Sequence, residues 1–373
     1  LEECEGFVVG PSVFELDVKT VLGHKTIATT EVFGPIIHLI GYGSLDEAIE
    51  IFNSTEYALT GGIFCQSQND IDYLVPRLEA GNIYINRPNT GARVAIEPFG
   101  GYKMSGTGPK AGGVDYLSKF SNKENMEHTD SIPEYLFDNA IGIKGHCANY
   151  SKLNYQKRLS STLELVSHIK QKNAEIFDGH NESAITKMDL FLDAIKLGKF
   201  DLEHKEFLNR EIPGQINLNY RNQVLGNGCV IDACIGPDID LLEDVLVHLI
   251  LGNGVNVIAG NEKIHSFWHK LLKLAYQYGF SNYNLSLSLM SEHELGEFIS
   301  DNDFHFIVFG KFNPSKYLRT KIFDREFKNH MVKVFDGVQL GQQSIDEKIG
   351  KYTHCRAMAI NTMRHGAPMD TGL

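Results

Sequence analysis

The stretch PIIHLIGYGSLDEAIEIFNSTEYALTGGIFCQSQNDIDYLVPRLEAGNIYINR (35–87) decides the fold class. IIHLI (36–40) is a short apolar run of strand type, and SLDE (44–47) is a capping box with Ser44 placed to accept from the Glu47 amide. Leu45, Ala48, Ile49 and Phe52 then recur at helical spacing, so one face of this segment turns inward. GGIFC (61–65) reads as the next strand, Asn69 and Asp70 as caps, and Ile71, Leu74, Val75 and Leu78 as a second helical stripe. Pro76 interrupts that stripe, and an interior proline costs about 3 kcal/mol, so this helix is expected to kink or to start later. NIYINR (82–87) closes the series as an alternating strand. Strands separated by helices specify an α/β layer with a largely parallel sheet.

Outward from this core the composition changes. Residues 88–113 carry seven glycines, among them Gly91, Gly100 and Gly101, and a loop of this length without its own secondary structure is usually functional. Residues 121–150 are polar and irregular and are expected to be a linker, dividing a first region (1–120) from a second (151–373). In the second region, helical patterns over 153–177 and 188–198 precede GQINLNY (214–220) and GCVIDACI (228–235), which suggest paired strands. The helix–glycine turn–strand run LLEDVLVHLILGNGVNVIAG (241–260), the helix SFWHKLLKLAYQYGF (266–280) and the strands NLSLS (284–288) and FHFIVFG (304–310) make this half α/β as well.

Bulk composition narrows the function classes. A chain of 373 residues with 42% hydrophobic and 22% charged residues folds around real cores. The net charge of -12 argues against a broad phosphate-binding surface, so nucleic acid is not an expected partner and a small molecule is. Six scattered cysteines, without a CxxC pair, read as reduced thiols, and no apolar run is long enough for a membrane span, so a cytoplasmic location is expected. His146-Cys147 and His354-Cys355 lack zinc-ligand spacing, so no metal is expected. The sequence opens on LEECEGFVVGPS, without an initiator Met and already like the approach to a buried strand, so the natural N-terminus is expected to lie upstream.

Several residues are candidates for chemistry. Glu31, before the Gly34-Pro35 turn, suits either a grip on a ribose diol or a local turn hydrogen bond, and Phe33 offers a flat apolar wall beside it. Gly91 and Ala92 follow a strand and let backbone amides approach an anion, although Gly91 alone also reads as a turn glycine. Phe99 is either a substrate-facing or a core aromatic. Arg87, Arg93 and Lys103 are not assigned as carboxylate clamps, because basic residues beside a glycine-rich loop more often pack that loop.

The strings EVFGP (31–35), NSTEYALTGGIF (53–64), GNIYINRPNTGA (81–92) and PFGGYKMSGTGPKAGG (98–113) occur in the order found at the end of an aldehyde dehydrogenase catalytic domain. The last two resemble those of the 1-pyrroline-5-carboxylate dehydrogenases, which oxidise L-glutamate γ-semialdehyde to glutamate with NAD. The resemblance implies that Glu31 and Phe33 contact the NAD ribose, that Gly91 and Ala92 anchor the substrate carboxylate, and that Phe99 packs on its aliphatic stem. Two departures stand out: Glu97 replaces a usual neutral polar residue and Val114 a common proline. The family's nucleophilic cysteine and general base are expected upstream; Cys4 lies too close to EVFGP and Cys65 sits on a strand, so no catalytic residue is assigned here.

LGNGVNVIAGNE (251–262) is similar to the aldehyde dehydrogenase stretch whose lysine grips the adenosine ribose, but Ala259 stands near the lysine position. The resemblance therefore implies a degenerate, Rossmann-like aldehyde dehydrogenase-like domain, as in the long bifunctional proline utilization A proteins. IPGQINLNY (212–220) and NTMRHGA (361–367) fit that picture more loosely, with Arg364 and His365 expected to be a structural pair. For the full-length protein the same resemblance implies an FAD-dependent proline dehydrogenase upstream, homo-oligomers and a capacity for peripheral membrane association. DYLSKF (115–120) is expected as the edge strand that begins an oligomerisation hairpin. A non-catalytic scaffold, or an aldehyde dehydrogenase of other substrate range, is the alternative.

Overall fold

The computed structural model describes residues 9–24, 26, 30–93, 96–106, 109–113, 115–120, 154–202, 215–282, 284–323, 332–336 and 343–361. They divide into two compact units, and the division is not a single cut in the sequence. The first unit holds the described residues up to 119 together with 215–219 and 356–361; the second holds the remainder. The expected linker at 121–150 lies outside the described residues.

In chain order the first unit runs β1 (Ser12–Leu16), α1 (Val18–Gly23), β2 (Ile36–Ile40), α2 (Leu45–Asn53), β3 (Tyr57–Ala58), β4 (Thr60–Ile63), α3 (Gln68–Leu74), β5 (Asn82–Ile85) and β6 (Tyr102–Lys103). Ser44 caps α2 by accepting from the Glu47 amide at 3.2 Å, but Glu47 reaches back to the Gly43 amide rather than to Ser44, so the box closes one residue early. α3 neither kinks nor starts later: it stops at Leu74, and Pro76 falls in the turn beyond, where its missing N–H leaves no helical bond broken. DYLSKF forms a 3₁₀ turn over Tyr116–Lys119 instead of an edge strand, since alternation alone makes no strand without a ladder partner.

The second unit begins with α4 (Tyr155–Gln171), α5 (Asn173–Ile176) and α6 (Glu182–Lys196). It continues through β7 (Gln215–Val224), β8 (Asn227–Asp232), α7 (Ile239–Leu251), β9 (Gly254–Ala259), α8 (Glu262–Gln277), β10 (Leu285–Leu289) and α9 (Glu292–Asp301). It ends with β11 (Phe306–Phe309), α10 (Lys316–Phe323), β12 (Lys333–Asp336), α11 (Ile345–Lys351) and β13 (Thr353–Asn361). The outer parts of β7 and β13 belong to the first unit.

Its sheet has the order β10-β9-β8-β11-β12, and each recorded pairing is parallel. That order, with β8 central and the winding reversing between β8 and β11, is the doubly wound topology of nucleotide-binding sheets. Alternate residues feed two cores. Val230 and Val308 pack with α4, α6, α7 and α8, whereas Cys229, Ile231 and Ile307 pack with Leu295, Ile299, Leu318 and Ile322 of α9 and α10. α7 is apolar around most of its surface because it is buried, and Gly252 ends it in the left-handed conformation at φ 92°.

The expected pairing of GQINLNY with GCVIDACI does not form. β7 joins the four-stranded sheet β4-β5-β13-β7, while β8 sits at the centre of the other sheet. Residues 357–360 of β13 run parallel to 82–85 of β5, with Ala357 opposite Asn82 and Ile360 opposite Ile85. Two similar apolar strands in sequence thus carry no information about which sheet completes them. Met358 and Ile360 pack against a core of Ile63, Ile71, Leu78, Ala80, Ile83 and Ile85. Arg356, 1% exposed, donates to the carbonyls of Val75 and Leu78, the latter at 2.7 Å. It thereby satisfies backbone groups in the turn that Pro76 creates.

Candidate active-site segment

The loop after β5 is held by buried polar side chains. Glu97, 2% exposed, accepts from Arg87 Nη1 at 2.8 Å, from the Arg93 amide at 2.8 Å, from Arg93 Nη2 at 2.8 Å and from Gln215 Nε2. Burial alone would raise the Glu97 pKa, but the Arg93 and Gln215 hydrogen bonds outweigh it and hold the carboxyl below its ordinary value. Arg87 also donates to Gln215 Oε1 at 2.6 Å and to the Thr90 carbonyl at 3.1 Å. Arg87 and Arg93 are therefore committed to loop packing, in line with leaving them unassigned as clamps. Lys103 is likewise structural, donating to the carbonyls of Asn53 and Thr55 and pairing with Glu79.

Gly91 has φ 81°, which L side chains rarely adopt, and an added Cβ there would come no closer than 3.9 Å to Arg87 Nη2. The glycine serves conformation, not space. Ala92 is half-buried beside it. Phe99 is 37% exposed, and its backbone exchanges two hydrogen bonds with Ala111, at 2.9 and 2.8 Å. The second strand of this bridge is fixed by Lys110, which the sequence reading did not single out. Lys110 is 6% exposed and its Nζ donates to Gly81 O, Asn82 Oδ1 and Gly100 O at 2.5 to 2.7 Å. At Gly81 a Cβ would fall 2.0 Å from the Gly100 carbonyl, so the loop and the start of β5 can meet only without a side chain. Gly91, Ala92 and Phe99 thus share one braced loop system.

Glu31 and Phe33 stand apart, on the exposed segment leading into β2; Phe33 is 93% exposed, and a Cβ at Gly34 would have no atom within 4 Å. An exposed carboxylate with open space beside it can accept two hydroxyl donors of a sugar diol. These residues fit the ribose part of a nicotinamide dinucleotide and no more of it. Cys65 lies just past β4, and its amide and carbonyl are paired with the Asn86 side chain, a structural position. Among the described residues no group of three or more His, Cys, Asp or Glu side chains is arranged to hold a metal ion.

In the second unit the ligand position of such a sheet is the crevice at the switch point, where helix N-terminal amides meet phosphate. Here Asp238 caps α7 and accepts from the Asp240 and Leu241 amides at 3.0 and 3.2 Å. Asp240 adds a second carboxylate to the first turn, paired with Lys187 and Lys311. The amides an anion would use are taken by the Asp238 side chain, and the lysines beside them are paired with Asp240. Gly310 is followed by Lys311, whose amide donates to Asp238 at 3.3 Å, and α10 begins only at Lys316, so no helix N-terminus lies at Gly310. Ala259, where a ribose-gripping lysine would be sought, is fully buried at the end of β9. These residues do not fit a dinucleotide.

Residues 2–126 match the aldehyde dehydrogenase family. That part of the chain is similar to aldehyde dehydrogenases, and its relatives are similar over the same segment. Over 118 residues the chain is 42% identical to the 1-pyrroline-5-carboxylate dehydrogenase of Bacillus licheniformis, covering 31% of this chain and 22% of the relative. It is 41% identical to 1-pyrroline-5-carboxylate dehydrogenase 2 of Bacillus subtilis over the same shares. The chain thus spans 22% of the length of these curated relatives. Among solved structures, proline utilization A from Corynebacterium freiburgense is matched over 91% of this chain and 27% of that one, at 20% identity and a TM-score of 0.46. A Thermus 1-pyrroline-5-carboxylate dehydrogenase with bound NAD is matched over 32% of this chain and 22% of that one, at 39% identity and a TM-score of 0.29.

Proposed function

We propose that this chain is part of an NAD-dependent dehydrogenase that oxidises L-glutamate γ-semialdehyde to L-glutamate in proline catabolism. The carrying observation is the braced loop at Gly91 and Ala92, in a segment 42% identical to a 1-pyrroline-5-carboxylate dehydrogenase. Backbone amides presented by a glycine in the left-handed region suit a carboxylate, the feature that separates this substrate from simple aldehydes. Phe99 would pack on the substrate stem, and Glu31 and Phe33 would hold the cofactor ribose. NAD supplies the hydride acceptor. The nucleophilic cysteine and the general base belong to the part of the relatives that this chain does not span.

Within this reading, residues 1–120 are the end of the catalytic domain and 151–373 a non-catalytic aldehyde dehydrogenase-like domain. The self-capped N-terminus of α7 supports the second assignment. Its β7 and β13 add to the sheet that bears the substrate loop, which favours a role in supporting the catalytic unit over an independent reaction. In a bifunctional parent, an FAD-dependent proline dehydrogenase lies upstream, in a cytoplasmic homo-oligomer that can associate with membranes. Among the described residues no helix is long and apolar enough to cross one.

The test is steady-state NADH formation by the full-length protein, with pyrroline-5-carboxylate and propanal as competing aldehyde sources. A higher kcat/KM for the former is expected. Efficient propanal turnover without activity on pyrroline-5-carboxylate would refute the substrate assignment, and no turnover of either would favour a scaffold.

A further inference from the structure

The polar network grips the backbone on both sides of Gly91-Ala92. On one side Arg87 Nη2 donates to the Thr90 carbonyl at 3.1 Å; on the other Glu97 Oε2 accepts from the Arg93 amide at 2.8 Å. Gln215 closes the ring between the two grips, accepting from Arg87 Nη1 at 2.6 Å and donating to Glu97 Oε1. Gln215 is 118 residues beyond Glu97 and lies on β7, the strand that the second half of the chain adds to this sheet. It also donates to Asn217, which fixes its amide orientation.

Charge follows the same design. Two guanidinium groups, Arg87 and Arg93, share the single carboxylate of Glu97, so the ring carries one net positive charge beside the two amides. The i,i+4 pair of Arg93 and Glu97 is buried at the acid end, with 2% exposure, and half-exposed at the basic end, with 41%. Such a pair both neutralises the buried carboxylate and leaves the loop attractive to an anion.

We propose that Glu97 and Gln215 are positioning residues for the substrate carboxylate. Through Arg87 and Arg93 they hold Gly91 and Ala92 in the conformation that presents their amides, so that the ordering cost is met before substrate arrives. Neither touches the reacting aldehyde. The inference rests on the carboxylate-anchor reading and adds to it which side chains determine specificity.

The test is Gln215→Met, which keeps side-chain length and removes its hydrogen bonds to Arg87, Glu97 and Asn217, in the full-length protein. KM for glutamate γ-semialdehyde is expected to rise roughly 10-fold, the equivalent of about 1.4 kcal/mol, with kcat changed less than about twofold. kcat/KM for propanal, which has no carboxylate, should stay within about twofold and so reports that the catalytic unit is folded. Glu97→Gln should raise the same KM, and the double variant should cost no more than the larger single change, because the groups act as one ring. Equal losses on both aldehydes, or unchanged kinetics on both, overturn the positioning role while leaving the substrate assignment intact. An unsubstituted protein with no preference for the semialdehyde over propanal overturns both.

Discussion

Asp232→Asn should flatten the pH dependence of stability in the second unit, and the size of the effect follows from the burial of one carboxyl. Asp232 ends β8 with no solvent exposure; its Oδ2 accepts from Trp268 Nε1 at 2.8 Å and its Oδ1 from the Cys234 amide at 3.2 Å. Burial raises its pKa from 3.8 to about 7, the indole and amide hydrogen bonds pulling down and nearby Asp238 pushing up. Below the lower value both folded and unfolded chains are protonated, and the group contributes nothing. Between the two values the unfolded chain releases the proton that the folded chain keeps, so stability falls as pH rises, and it levels off above the upper value. Three units correspond to about 4 kcal/mol, of which about 3 kcal/mol is lost between pH 5 and 8.

Asparagine cannot ionise and still offers an oxygen to one donor. Urea unfolding read by fluorescence measures the effect directly, because Trp268 is the chain's single tryptophan and is 2% exposed. The parent's midpoint should fall across that pH range, the variant's should fall much less, and the variant-minus-parent difference should increase with pH. Parallel curves for the two proteins would refute the argument.

Two further outcomes concern the loop system. Gly91→Ala adds no clash but holds a side chain at φ 81°, a strain of about 1–2 kcal/mol; KM for the semialdehyde should rise roughly 5- to 30-fold, and an unchanged KM would remove Gly91 from the anchor. Lys110→Met leaves three buried acceptors without their cation and should cost about 3 kcal/mol of stability in the unit that holds it, measured from denaturation midpoints; a loss below about 1 kcal/mol would show that water replaces it.

Local patterning carried most of the elements. The helix over 45–53 and the strands at 36–40, 82–85 and 306–309 follow from spacing and caps, because a period of 3.6 or 2 is written into a short window. The helix ahead of Pro76 stopped where a missing N–H costs nothing, and the turn carbonyls beyond it accept from Arg356, a side chain too distant in sequence for a local pattern to register. Of the site, Gly91 was legible as a glycine beyond a strand, and Glu97 was visible as a charge where a neutral residue is usual. Its partner Arg93, four residues earlier, was a signal that could have been read. Lys110 was hidden in a run of loop residues, since nothing local distinguishes a buried lysine from a solvated one.

By itself, then, the sequence determined two α/β regions, the glycine loop and the positions of its candidate anchor, all properties of neighbouring residues. Tertiary structure alone decided that β7 and β13 leave their own half to complete the sheet under that loop, and that Gln215 joins Arg87 and Glu97. Strand pairing and buried hydrogen bonds depend on which edge and which acceptor are near in space, and a contact 118 residues apart leaves no periodic trace in either segment.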